Sequence, residues 1–129
     1  MPRDDVFPSN VKMLMIPPVN PDDAASILRA AAAVLQRDGH LHGDYGSIDG
    51  PKCMMGALQY VRYGIVMPRP QLWDITFISA LNKLAITVDY HKLYSYSPSD
   101  AHAAICEFNN RNRSDTCVDK LREAANAAG

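Results

Sequence analysis

With 129 residues, 47% of them hydrophobic and 21% charged, the chain has the size and composition of one soluble globular domain with a real core. A formal net charge of −1 disfavours a protein held on nucleic acid or an anionic membrane by charge alone. No apolar run approaches the roughly 20 residues that span a bilayer, and no apolar signal core follows Met1-Pro2-Arg3-Asp4-Asp5. Three widely spaced cysteines, Cys53, Cys106 and Cys117, argue against a disulfide framework and for a reducing cytoplasm.

Residues 1–20 read as an extended N-terminal arm, because prolines stand at positions 2, 8, 17 and 18, with a fifth at 21. The apolar stretch Val11-Lys12-Met13-Leu14-Met15-Ile16 fits a short strand or a strap lying on the body. Residues 21–129 read as a single helical domain. Asn20-Pro21-Asp22-Asp23 supplies a cap, a proline at the first helical position and two carboxylates. Ala24, Ile27, Leu28, Ala31, Val34 and Leu35 follow at three- and four-residue spacing, and Gly39 is the stop. The alanines at 30–33 make a slim rod suited to close helix contact.

A loop with glycines at 39, 43, 46 and 50 comes next. The second helix is expected from Pro51 to about Tyr63, with Cys53 in its first turn and Gly64 as its stop. Gly56 and Ala57 mark a place where a second backbone can approach closely. Pro70 opens a third helix that buries Trp73, Phe77, Ala80, Leu81 and Leu84. Its β-branched far end, Ile86-Thr87-Val88-Asp89-Tyr90, leaves room for a strand over 84–90 that could pair with 11–16. Ser97-Pro98-Ser99-Asp100 caps a fourth helix burying Ala101, Ala104, Ile105 and Phe108, with a break at Asn109-Asn110. Ser114 or Asp115 caps a fifth that uses Cys117, Val118, Leu121, Ala124 and Ala125. The fold class is therefore mainly α: a compact bundle of about five helices, an extended proline-rich arm and a minor two-stranded element at most.

This order of elements resembles the domain of unknown function 6197 family, small proteins of actinobacteria and their phages. The pieces that carry the resemblance are the alanine-rich helix Ile27 to Gly39, Cys53-Met54-Met55-Gly56-Ala57-Leu58, Phe108-Asn109-Asn110, Arg113-Ser114 and the last helix, Val118 to Ala125. The family pattern has tryptophan where Phe108 stands and aspartate where Asn110 stands. The resemblance implies a small helical, phage-encoded protein and brings no known activity with it.

Chemistry is sparse. Cys53 near a helix N-terminus is the candidate nucleophile, because the helix dipole favours a thiolate there. His42 or His40 would be the base and Asp44 or Asp49 the orienting carboxylate. Against this stands the ordinary fate of a free cysteine, which is burial as a small apolar residue, and no catalytic assignment is made. His40, His42, Asp44 and Cys53 can be drawn as a metal set, but a glycine-rich loop without a Cys-x-x-Cys or helical His pair does not support one. No metal and no cofactor are called for. Tyr90, Tyr94 and Tyr96, with His91 and Lys92, form an aromatic loop suited to an interface. Arg111 and Arg113 among Asn109, Asn110 and Asn112 can receive a phosphate or carboxylate. The reading that best joins these features is a helical binding protein that docks on a host or phage protein, with self-association as an option, nucleic acid disfavoured and no membrane. The alternatives are a cysteine-dependent enzyme centred on Cys53, or a ligand- or nucleic-acid-binding module using Arg111 and Arg113.

Overall fold

The computed structural model describes residues 16–89 and 95–128. Five helices follow one another: α1 (Ala24–Asp38), α2 (Met54–Tyr63), α3 (Ile75–Val88), α4 (Pro98–Arg111) and α5 (Ser114–Ala128). A single 3₁₀ turn, Pro70–Leu72, precedes α3. Helix α1 lies against α2, α3 and α5, its most extensive contact being with α5. Ala25, Ile27, Leu28, Ala30, Ala31, Ala32, Val34 and Leu35 are all buried, so α1 is covered on nearly every side. A helix apolar around most of its circumference belongs in a core, and alanine's small side chain is what lets three neighbours close around it.

The helix boundaries differ from expectation in instructive ways. Asn20 spends its side chain on its own turn, Oδ1 accepting from the Asp22 N–H at 3.0 Å. Asp23 is the cap instead, accepting from the Ala25 N–H at 3.1 Å. Pro70 opens only the 3₁₀ turn, and Asp74 caps α3 by accepting from Phe77 N–H at 2.9 Å. Trp73 therefore sits ahead of α3, half-buried, with its indole N–H bonded to Gln59. Phe77, Ala80, Leu81 and Leu84 are buried as expected. The β-branched end of α3 stays helical through Val88, because Leu84, Ala85 and Val88 all face the core and burial outweighs a propensity difference of a few tenths of a kcal/mol. This removes the expected strand over 84–88. Residues 11–15 and Tyr90, its other proposed members, lie outside the described residues. Ile16 and Val19 do pack on the core.

Helix α4 starts as read, Ser97 accepting from Asp100 N–H at 3.1 Å, but Asn109 and Asn110 do not break it. It runs to Arg111. Asparagine breaks helices by bonding local backbone, and here both amides are engaged by distant partners instead. Helix α5 buries the expected five residues, Cys117, Val118, Leu121, Ala124 and Ala125.

The 39–53 connection is ordered around Lys52, whose exposure is 0%. Its backbone is extended between two loop segments: Lys52 N–H donates to Gly39 O at 3.1 Å, and Leu41 N–H donates to Lys52 O at 3.0 Å. The side chain runs inward and Nζ donates to Asp38 Oδ2 at 2.8 Å, Ile48 O at 2.9 Å and Gly50 O at 2.9 Å. All three ammonium protons are satisfied, the arrangement a buried cation requires. The ring of Tyr60 lies 4.6 Å from the same nitrogen. This extended segment also moves the start of α2. Cys53 is its N-cap rather than a first-turn residue, Sγ accepting from the Gly56 N–H at 3.3 Å.

Gly56 makes a close approach, but to the loop rather than to another helix. A β-carbon there would lie 2.1 Å from the Tyr45 carbonyl oxygen and 3.0 Å from Val66. Gly56→Ala is expected to cost about 2 kcal/mol, the order for overpacking against a backbone that must move, measured by urea denaturation. Lys52→Met, which leaves Asp38 with Arg37 alone and takes the ammonium donor from the Ile48 and Gly50 carbonyls, is expected to lose about 3 kcal/mol. Amide exchange in 46–52 should accelerate in that variant while α5 stays protected.

Candidate functional site

Polar and sulfur-bearing side chains of the chain meet where the 39–50 loop lies over α4. The centre is the buried amide of Asn109. Its Oδ1 accepts from the Met54 N–H of α2 at 2.9 Å and from His40 Nε2 at 2.7 Å. Its Nδ2 donates to Leu41 O at 2.9 Å and to Asn110 Oδ1 at 3.2 Å. One side chain thus ties α4 to the first turn of α2 and to the loop. Two bonds flank it, His42 Nε2 donating to Asn112 O at 2.7 Å and Gly43 N–H donating to Asn110 Oδ1 at 2.8 Å. The bond to a backbone carbonyl fixes a proton on His42 Nε2. Sharing the Oδ1 that accepts from Met54 N–H fixes one on His40 Nε2.

Beside this hub is a cavity of about 150 Å³ lined by Gly43, Asp44, Tyr45, Cys53, Cys106, Asn109 and Asn110. The Tyr45 hydroxyl is 3.0 Å from His102 Nε2, and Tyr45 and Cys106 share the cavity lining. Helix α4 presents His102, Cys106 and Asn109 along one face, at the spacing of successive turns. Burial pushes the Cys53 thiol up, against the backbone N–H groups of Gly56 and Met55 that favour its thiolate. Burial raises Cys106 to about 11 and Cys117 to about 12. The thiols are therefore held protonated at neutral pH.

The residues singled out from the sequence are dispersed. Cys53 bonds Gly56, whereas His40 and His42 bond α4 and its C-cap, so the hydrogen bonds of Cys53 and His42 do not join them as nucleophile and base. Among the described residues no group of three or more His, Cys, Asp or Glu is set to hold a metal. Arg111 pairs with Glu107 at 3.0 Å and Arg113 with Asp115 at 3.2 Å, all four side chains exposed. Each arginine is thus offset by an acid on its own or the adjoining helix. Tyr96 is half-buried, its N–H bonded to Asn82 Oδ1 at 2.7 Å and its hydroxyl to Asp89. Tyr90 and Tyr94 lie outside the described residues.

Sequence reasoning missed Lys52, Tyr45, His102 and Cys106. Their one legible signal was proximity in the chain, Lys52 standing beside Cys53. The contact of Tyr45 with His102 joins residues 57 positions apart.

The chain matches a family of unknown function (DUF6197) over residues 19–127, which takes in α1 to α4 and all but the final residue of α5. It belongs to that family. No curated protein and no solved structure matches it. In this DUF6197 protein the Phe108-Asn109-Asn110 step contains the hub amide. Asn110 uses its acceptor oxygen toward Gly43 and Asn109, a role a carboxylate can also fill.

Burial lowers the affinity of His40 and of His102 for a proton. The native state then refuses protons that the unfolded chain accepts below about pH 6.5. Stability is therefore complete above that pH and falls as pH drops from about 7 to 5. Urea midpoints across that range should decline, and His40→Gln, which keeps a donor for Asn109 without titrating, should flatten the slope.

Proposed function

We propose that this DUF6197 protein is a binding module of the cytoplasm that acts by docking on another protein rather than by catalysis. The observation that carries the reading is the apolar surface of the α2–α3 connection. Ile75 is 84% exposed, Met67 58% and Leu72 48%, so three large apolar side chains within nine residues face solvent. Isolated exposed hydrophobics are ordinary, whereas several from one short segment mark a contact surface. The segment is also rigidly mounted. The Asp74 side chain is bonded to Arg62 and its backbone N–H donates to Tyr63 Oη at 3.0 Å, and Gln59 holds both Trp73 and the Met67 carbonyl. Rigid mounting lowers the ordering cost of binding. Protonated thiols, buried at Cys53 and Cys117 and partly buried at Cys106, support docking over cysteine chemistry, and free cysteines suit a reducing compartment.

The test is an immobilised-chain capture from lysate of the source cell, run in parallel with Leu72→Glu/Ile75→Glu. Both side chains are exposed, so the double variant should keep its circular dichroism and melting temperature. A specific partner should bind the parent and lose affinity about 30-fold or more in the variant, the order of two hot-spot kcal/mol. A partner retained equally by both proteins, or none retained by the parent, defeats the reading.

A further inference from the structure

Charge is unevenly divided along the chain. Residues 54–88 hold three cations, Arg62, Arg69 and Lys83, against one anion, Asp74, a net charge of +2. The remainder therefore carries −3, since the whole chain is −1. The exposed Met67, Leu72 and Ile75 all fall inside the positive stretch. Its one carboxylate is already engaged, because Asp74 pairs with Arg62. Arg69 and Lys83 are exposed and make no ion pair among the described residues. Arg69 caps the 3₁₀ turn that carries Leu72. Ile75, Ser79 and Lys83 recur at four-residue spacing and are all exposed, so they mark one outward stripe of α3. At the rise of an α-helix, Lys83 lies about 12 Å from Ile75 along that stripe.

Apolar side chains with unpaired cations around them make a surface that selects its partner by charge. A second copy in two-fold contact would set this positive surface against itself, and like charges in apposition oppose such a contact. An anionic lipid surface calls for a cluster of roughly four to eight Lys and Arg. Only Arg69 and Lys83 are unpaired in the stretch, and the rest of the chain is negative. A protein segment that carries both apolar side chains and carboxylates meets every requirement. We infer that the docking surface takes an acidic amphipathic segment of another protein, apolar against Leu72 and Ile75, with carboxylates on Arg69 and Lys83. That assignment rests on the docking reading above and adds the chemistry of the partner. No existing ion pair has to break for either carboxylate to find its cation. Arg69 offers a planar fork to a carboxylate and Lys83 a point charge.

The experiment is panning of a random peptide library on the immobilised full chain, with Leu72→Glu/Ile75→Glu as the parallel control. Peptides enriched on the parent but not on the control are expected to combine apolar residues with an excess of Asp and Glu. A synthetic peptide of the enriched sequence should bind Arg69→Glu/Lys83→Glu about tenfold more weakly than the parent, the order of two exposed charge contacts. That gap should narrow at about 1 M salt. Both replaced side chains are exposed, so the circular dichroism of the variant should match the parent. Enriched peptides without an acidic excess, or ones that bind the charge-reversed chain as tightly as the parent, overturn the assignment and leave the docking surface standing. No enrichment on the parent over the control overturns both. Co-sedimentation of the parent with phosphatidylglycerol vesicles, or a dimer in analytical ultracentrifugation, if abolished by Leu72→Glu/Ile75→Glu, gives the surface to a lipid or to a second copy and overturns the assignment as well.

Discussion

The ammonium of Lys52 is the contact on which the upper half of the molecule depends. Asp38 ends α1, and Ile48 and Gly50 lie in the loop; one nitrogen binds all three. Taking a lysine fully out of water is costly unless every proton is placed, so the loop cannot drift without exposing that cost. Asp38 is itself gripped by Arg37 through bonds of 2.8 and 3.0 Å, and that guanidinium, with Lys52 second, holds the carboxyl below its ordinary range. Because Lys52 is extended, Cys53 caps α2 and Met54 offers its free N–H to Asn109. The Asn109 amide then fixes the inner rim of the cavity. Each step is forced by the need to satisfy buried polar groups.

Much of the scaffold was legible because it is written in local grammar. The apolar stripes of α1 and α5, the Ser97-Pro98 start of α4 and the stop at Gly64 rest on interactions within a few residues, and all match the structure. Errors fell where a polar residue had a choice of partner. Asn20 resembles a cap and instead closes a turn. Asn109 and Asn110 resemble a break and instead bond a loop 67–69 residues away in the chain. Nothing local distinguishes an asparagine that will satisfy its amide at home from one that will do so across the fold.

The same limit governed the site. Cys53 was visible as a helix-start cysteine, but its neighbour Cys106 had no signature of its own, being one small residue on an amphipathic helix. Lys52 was hidden by its chemistry, since lysine is almost never fully buried without a partner and Asp38 is fourteen positions away. What joined Tyr45, His102 and Cys106 was the return of α4 past the loop, a property of topology rather than of motif.

The alanine-rich α1 has a consequence for how the chain is made. Its most extensive partner is α5, at the other end of the sequence. On a ribosome, which releases the chain from the N-terminus onward, α1 emerges before α5 and stays uncovered on that flank until the fifteen residues of α5 appear. Its six alanines reduce the apolar area that the wrong neighbour can seize while it waits, leaving Ile27, Leu28, Val34 and Leu35 as the side chains that need cover. A long-lived uncovered helix is an aggregation hazard during synthesis, and the alanines lessen that hazard while still allowing α5 to close tightly.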